Sequence, residues 1–162
     1  MLLNSYVKKE LNKYFTAKVN GKEPKQRWVI DDTSFDGEII VSDSYYAIAI
    51  DKHQFYFTTD EAMISRADFH KIVPETDYDI KVCPTNDIRI LEDRDSKVRR
   101  FEIYKGDQKL EDRWFQDKYY SQFEYGCEFS GCEKPFSPIK VTDKTTGKFV
   151  GMLLPVRMDN RK

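Results

Sequence analysis

Hydrophobic and polar positions follow two periods along the chain, and the first period is helical. Over residues 2–15 apolar side chains recur every three or four positions, and the lysines fall mainly off that apolar stripe. This spacing predicts an amphipathic helix with one buried face and one basic face. The stripe consists of Leu3, Tyr6, Val7, Leu11, Tyr14 and Phe15.

The segments after this helix are rich in β-branched and aromatic residues, which predicts strands. Residues 28–50 hold two such runs around Asp36-Gly37, a pair that favours an antiparallel hairpin. The pattern predicts another strand at residues 53–59 and a helix at residues 61–73, closed by Pro74. Three further short strands are predicted at residues 78–84, 87–93 and 98–106.

The last third of the chain repeats this organisation. Apolar spacing predicts a second helix at residues 114–124, before Gly126, and strands follow on both sides of a turn at residues 144–147. A helix followed by several strands, twice over, predicts an α+β fold with two helices backed by antiparallel sheet. The length of 162 residues predicts a single domain, 1–162.

Composition predicts a protein of the cytoplasm. No apolar run reaches the eighteen or so residues that a membrane-spanning helix needs. Cys83, Cys127 and Cys132 make an odd number of cysteines, in a sequence whose first residues do not resemble an export signal. We therefore expect reduced thiols and no membrane partner.

Charge is distributed unevenly, with basic ends and an acidic middle. Residues 1–27 hold seven Lys or Arg and two Asp or Glu, whereas residues 28–96 hold six and sixteen. If the basic ends meet, they form a positive face suited to duplex DNA, with Lys8, Lys9 and Lys13 as the candidate contacts. The alternative is that these lysines only keep the surface soluble.

Metal sites and enzyme sites have little support in the sequence. His53 and His70, with the three cysteines, are residue types that bind zinc, but they lack paired metal-ligand spacing. Ser42 lies outside a nucleophile elbow, and no glycine-rich phosphate loop is present. We expect no enzyme activity, no metal and no cofactor.

A small metal-dependent nuclease is the weaker alternative. Asp77, Asp79 and Lys81 offer two carboxylates and a lysine near one strand, which is the set that magnesium-dependent cleavage uses. The alternative is that these acids sit in solvated turns, where Asp is favoured for its geometry.

Three segments resemble the bacterial DNA sliding clamp, the DNA polymerase III beta subunit. Residues 135–158 are similar to the end of that family, residues 41–50 to one of its strand-turn-strand units, and residues 114–123 to one of its helices. The final motif of the clamps is similar to the run Leu154, Pro155, Val156, Arg157 and Met158.

This resemblance implies a single-domain version of the clamp fold and a role in DNA replication. It implies weak, non-specific binding of duplex DNA, peptide motifs of replication proteins as partners at residues 154–158, and assembly into a homo-oligomer. Since clamp chains have three such domains, a protein of this length could be encoded by a phage or mobile element. The alternative function is a protein-interaction or regulatory module without DNA binding.

Overall fold

The computed structural model of the chain describes residues 4–92, 96–123 and 126–158. These residues fall into two compact units, Met1–Val73 and Pro74–Lys162, which we call unit 1 and unit 2. The prediction that residues 1–162 make a single domain stays a prediction.

Unit 1 begins with the predicted amphipathic helix, α1, at Ser5–Val19. The side chain of Asn4 caps it by accepting a hydrogen bond from the Val7 amide at 2.9 Å. Val7, Leu11 and Tyr14 are its buried residues, as the helical spacing predicted. The helix extends four residues beyond the predicted end, and the predicted positions 2 and 3 lie outside the described residues.

The strands of unit 1 are β1 (Val29–Asp31), β2 (Glu38–Ser42), β3 (Tyr46–Asp51) and β4 (Ser65–Arg66). They are ordered β4-β1-β2-β3, with β4 parallel to β1 and the other neighbours antiparallel. The hairpin predicted around Asp36-Gly37 is confirmed. Residues 28–50 contain a third strand as well, because the Asp43 carboxylate accepts hydrogen bonds from the Tyr45 and Tyr46 amides and turns the chain between β2 and β3.

Two predictions for unit 1 are wrong. Residues 53–59 are not a strand: a 3₁₀ turn at Lys52–Gln54 leads into an irregular segment. Its aromatic rings pack beside α1, with Phe57 stacked 5.5 Å from Phe15, so their spacing reflects ring contacts rather than strand pairing. Residues 61–73 are not a helix. Two of them form β4, which pairs with β1, and the Phe69 amide donates a hydrogen bond to the Asp31 carboxylate.

Unit 2 opens with a long antiparallel pair, β5 (Ile80–Leu91) and β6 (Ser96–Lys105). The strands predicted at residues 78–84 and 87–93 are parts of β5, which has a register shift between Pro84 and Ile88. Proline has no N–H to donate, which explains an irregularity at this place in the strand. The short strands β7 (Gln108–Lys109) and β8 (Arg113–Gln116) both pair with β6.

The second predicted helix is mostly wrong. Trp114 and Phe115 belong to β8, where burial alternates with the period of a strand. Only the four residues Asp117–Tyr120 form a helix, α2, and residue 124 lies outside the described residues. Pairing of β8 with β6 places Phe115 against Phe101, with ring centres 4.7 Å apart, and this long-range contact outweighs the local helical spacing.

The remaining strands of unit 2 are β9 (Cys127–Ser130), β10 (Ile139–Asp143) and β11 (Phe149–Leu153), antiparallel in that order. The turn predicted at residues 144–147 is confirmed, since the Asp143 carboxylate accepts from the Thr145 and Thr146 amides. Helices and predominantly antiparallel strands make the fold α+β, as predicted. No helix in the described part of the chain is long and apolar enough to cross a membrane.

Candidate functional site

The loop between β9 and β10 contains a turn with an unusual residue at its third position. The Ser137 amide donates to the Lys134 carbonyl at 3.3 Å, which closes a four-residue turn. Pro135 takes the second position, and Phe136 takes the third with a φ of 64°. A type II turn needs a positive φ at this place, where glycine is the usual residue. Phe136 therefore lies where the backbone favours glycine.

The ring of Phe136 is not buried in the core. It is 53% exposed, and the Arg157 guanidinium lies 5.0 Å from its centre, a cation–π contact. A bulky residue at positive φ is a strained conformation that persists only where surrounding structure holds it. Such strained residues are found most often at binding and catalytic sites.

A second wall faces this ring, made by the chain after β11. The Val156 amide donates to the Trp114 carbonyl at 2.7 Å, which joins the end of the chain to β8 by a single bridge. Together with the turn, these segments enclose a cavity of about 480 Å³, which we call the groove. It is lined by Leu110, Glu111, Asp112, Arg113, Trp114, Glu133, Pro135, Phe136, Pro155, Val156 and Met158.

Arg113 is a buried cation in the wall of the groove. Only 5% of it is exposed, and its guanidinium donates to the carbonyls of Cys132 and Ser137. It forms no ion pair with any carboxylate among the described residues, and burial lowers the pKa of Arg113. Its hydrogen bonds tie β8 to both sides of the Phe136 turn, so Arg113 holds this turn in place.

The carboxylates that line the groove differ in their partners. Glu133 pairs with Lys105 at 2.8 Å, and Asp112 pairs with Lys109 at 3.5 Å. Glu111 is exposed and has no ion pair within the described parts of the chain. The groove thus combines apolar and charged lining residues, and Glu111 is a carboxylate available to a basic ligand.

The structure places most of the predicted partner-binding residues at this groove. Pro155, Val156 and Met158 line it, and Arg157 covers the Phe136 ring. Leu154 is half-buried beside them but is not among the lining residues.

Sequence reasoning missed Phe136, Trp114, Arg113 and Glu111. The available indication was the order Pro135-Phe136, a proline at the second position of a turn with no glycine after it. The misplaced second helix hid Trp114, because a helix at residues 114–124 would not have paired with residue 156.

The predicted DNA-contacting lysines are all on the exposed side of α1. Lys8, Lys9 and Lys13 are exposed, whereas the helix buries Val7 and Leu11. Lys13 is within 3.6 Å of the Glu10 carboxylate, which offsets part of its charge.

The other candidate residues do not assemble into a site. Among the described residues, no three His, Cys, Asp or Glu side chains form a group that could hold a metal ion. The three cysteines are free thiols, and His70 is hydrogen-bonded to the Ser34 carbonyl at 2.6 Å. The Ser42 hydroxyl lies 2.7 Å from the Asp43 carbonyl oxygen and 2.8 Å from the Tyr46 carbonyl oxygen, so its one proton is shared within the hairpin turn. Asp77, Asp79 and Lys81 are exposed.

No family model, no curated protein and no solved structure matches the chain.

Proposed function

We propose that the chain is a non-enzymatic binding protein whose groove holds a short, extended peptide of a partner protein. One observation carries this proposal: residues 155, 156 and 158, predicted to bind a partner, enclose a cavity of about 480 Å³ together with the strained, exposed Phe136. A volume of several hundred cubic ångströms is typical of ligand pockets and accommodates side chains of a bound segment.

The lining favours a peptide over a reacting substrate. It includes no histidine, cysteine, serine or lysine, and two of its three carboxylates are held in ion pairs. Trp114, Phe136 and Met158 offer the aromatic and flexible apolar contacts that are enriched at protein interfaces. We infer that the occupant carries an apolar anchor side chain.

Charge gives the second property of the occupant. Glu111 is exposed in the lining of the groove and has no ion-pairing partner in the described part of the chain. A Lys or Arg next to the anchor would complement this carboxylate, and such pairs add specificity and association rate. The proposed occupant is therefore an apolar anchor flanked by basic residues.

The resemblance to sliding clamps supplies the biological setting of this proposal. In that setting the peptide belongs to a replication protein, and the chain acts in the cytoplasm as a clamp-like domain that assembles with further copies. A protein-interaction module outside replication would use the same groove with a different partner.

Binding of short fluorescent peptides tests the groove. We expect peptides with a central Phe between lysines to bind at micromolar concentration, and a Ser-centred or Glu-flanked peptide to bind more weakly. Met158→Ala should weaken binding about tenfold by removing a contact from the lining. Tyr78→Ala, at a fully exposed aromatic of unit 2, is the matched control and should bind like wild type. Clamp-binding peptides of replication proteins belong in the same panel.

The peptide proposal fails if no member of the panel binds at high micromolar concentration. Equal binding by wild type and Met158→Ala would place the peptide elsewhere on the protein.

Duplex DNA is the second candidate ligand, favoured by the exposure of Lys8, Lys9 and Lys13 on one helix. Contacts of lysine with phosphate release counterions, so binding should be independent of sequence and should weaken steeply with salt. A ring of several copies would multiply these contacts.

A salt titration of duplex binding tests this second candidate. The triple variant Lys8→Glu/Lys9→Glu/Lys13→Glu should lose binding at low salt. The control, Lys52→Glu/Lys81→Glu/Lys144→Glu, makes the same charge change at exposed lysines that are not part of α1 and should bind more tightly than the first variant. Equal loss of duplex binding in the two triple variants would show that binding depends on net charge alone.

A further inference from the structure

We infer that Phe136 is the specificity-determining residue of the groove: its ring selects an aromatic anchor in the bound peptide. This inference rests on the proposed peptide binding. It follows from the conformation of the turn, the exposure of the ring and the neighbours of the ring in the groove.

The backbone at Phe136 has a conformation that usually requires glycine. Among the described residues, it is the one non-glycine residue with a positive φ; the others, such as Gly37 and Gly147, are glycines. In that region the Cβ of an L-residue approaches the carbonyl oxygen, which glycine avoids. Pro135 before it and the Ser137–Lys134 hydrogen bond hold the turn in this form. The turn alone would therefore be more stable with glycine.

Burial of the Phe136 ring does not offset this strain. The Phe136 ring is 53% exposed, whereas Phe101 and Phe115 of the same unit are fully buried. A large apolar side chain held at a strained position and left half in solvent contributes little to folding. Its contribution is expected in the bound state, when a ligand covers it.

The surroundings of the Phe136 ring favour an aromatic ligand. Arg157 lies over it at 5.0 Å, and Trp114 and Met158 line the same cavity. An aromatic side chain entering the groove would meet two rings, a sulfur and a guanidinium, each of which interacts favourably with an aromatic ring. An aliphatic side chain would bury a similar area without these interactions.

Two substitutions separate the strain from the ring. Phe136→Ala and Phe136→Gly both remove the ring, but only glycine relieves the backbone. At an ordinary position glycine is less stable than alanine. Here the Gly variant should melt about 2–4 °C above the Ala variant, which corresponds to the cost of a positive φ. Tyr78→Ala and Tyr78→Gly are the matched pair at a fully exposed position.

The specificity is measured with two peptides that differ only in the anchor, Phe or Leu between lysines. Wild type should prefer the Phe peptide about fivefold, a ratio typical of an aromatic pair. Phe136→Gly should bind the Phe peptide about tenfold more weakly. Both Phe136→Gly and Phe136→Leu should lose most of the preference, since only Trp114, Met158 and Arg157 remain to favour an aromatic anchor. A purely structural role would weaken both peptides by the same factor.

The outcomes distinguish this inference from the proposed function. If wild type binds and the Phe136 variants keep its anchor preference, the inference fails and the groove proposal stands. If wild type binds neither peptide, both fail. A Gly variant that melts below the Ala variant overturns the strain on which the inference depends.

Discussion

Two regions of the chain solve the same structural problems in opposite ways. In unit 1, the loop at residues 32–37 joins β1 to β2; in unit 2, the turn at residues 134–137 borders the groove. Each region has a buried charge and a residue at positive φ. The buried charges are Asp31 and Arg113, and the residues at positive φ are Gly37 and Phe136.

The loop of unit 1 satisfies both requirements with suitable residues. Asp31 is 2% exposed, and its carboxylate accepts from the amides of Thr33 at 3.1 Å, Ser34 at 2.9 Å and Phe69 at 2.8 Å. Burial raises the pKa of Asp31, but the hydrogen bonds from Ser34, Phe69 and Thr33 outweigh it, and the net pKa is lowered. The charged form is therefore favoured in the folded protein.

The groove region satisfies neither requirement as fully. Burial lowers the pKa of Arg113, and for a base this means that the charged form is disfavoured. Its guanidinium has backbone carbonyls and no carboxylate as partners within the described residues. The difference teaches that the first region accommodates its buried charge and its positive φ with favourable interactions, whereas the second retains two unfavourable features.

The largest effect should come from removing the Asp31 carboxylate. Asp31→Ala leaves three backbone amides without their acceptor, and we expect a loss of about 3 kcal/mol in the free energy of unfolding. Urea denaturation measures it. Asp36→Ala, at an exposed aspartate of the same loop, is the control and should cost under about 0.5 kcal/mol. Similar losses in the free energy of unfolding for Asp31→Ala and Asp36→Ala would contradict the structural role of Asp31.

Lowering the pH should remove part of the stabilisation that the Asp31 carboxylate provides. Because the folded pKa of Asp31 is below its unfolded value of about 4, the carboxylate contributes fully above that pH and loses its contribution as pH falls through the folded value. Asp31→Asn lacks this titration. The stability difference between wild type and Asp31→Asn should therefore shrink between about pH 5 and pH 2. A difference that is constant with pH would show that Asp31 does not titrate with folding.

Sequence patterns predicted the structure around the unit 1 loop but missed much of the groove region, and the reason is physical. The stripe of α1 and the Asp36-Gly37 hairpin depend on neighbours a few residues away, so local spacing is sufficient to find them. The strand at Trp114 depends on pairing with β6, and the conformation of Phe136 depends on closure of its turn by the Ser137–Lys134 hydrogen bond. The resemblance to clamps indicated residues 154–158, of which Pro155, Val156 and Met158 line the groove, but it did not indicate the residues that face them.

An intermediate effect should come from placing a side chain at Gly37. Gly37 has a φ of 73°, and an added Cβ would meet no atom within 4 Å, so Gly37→Ala tests the backbone alone. We expect a loss of about 1 kcal/mol, the usual cost of this conformation for alanine. Thermal denaturation measures it. Its sign should be the reverse of the change from alanine to glycine at residue 136, and equal signs would contradict the comparison.

The smallest effect should come from Arg113, although it is buried like Asp31. Arg113→Met keeps the apolar stem and removes a charge whose burial is unfavourable, while two carbonyls lose a donor. These contributions oppose one another, so we expect the free energy of unfolding to change by less than about 1 kcal/mol. Peptide binding should weaken, because the guanidinium holds both sides of the Phe136 turn. Urea denaturation and peptide titration of the same variant separate the two effects. A loss of stability as large as that of Asp31→Ala would show that Arg113 serves the fold rather than the groove.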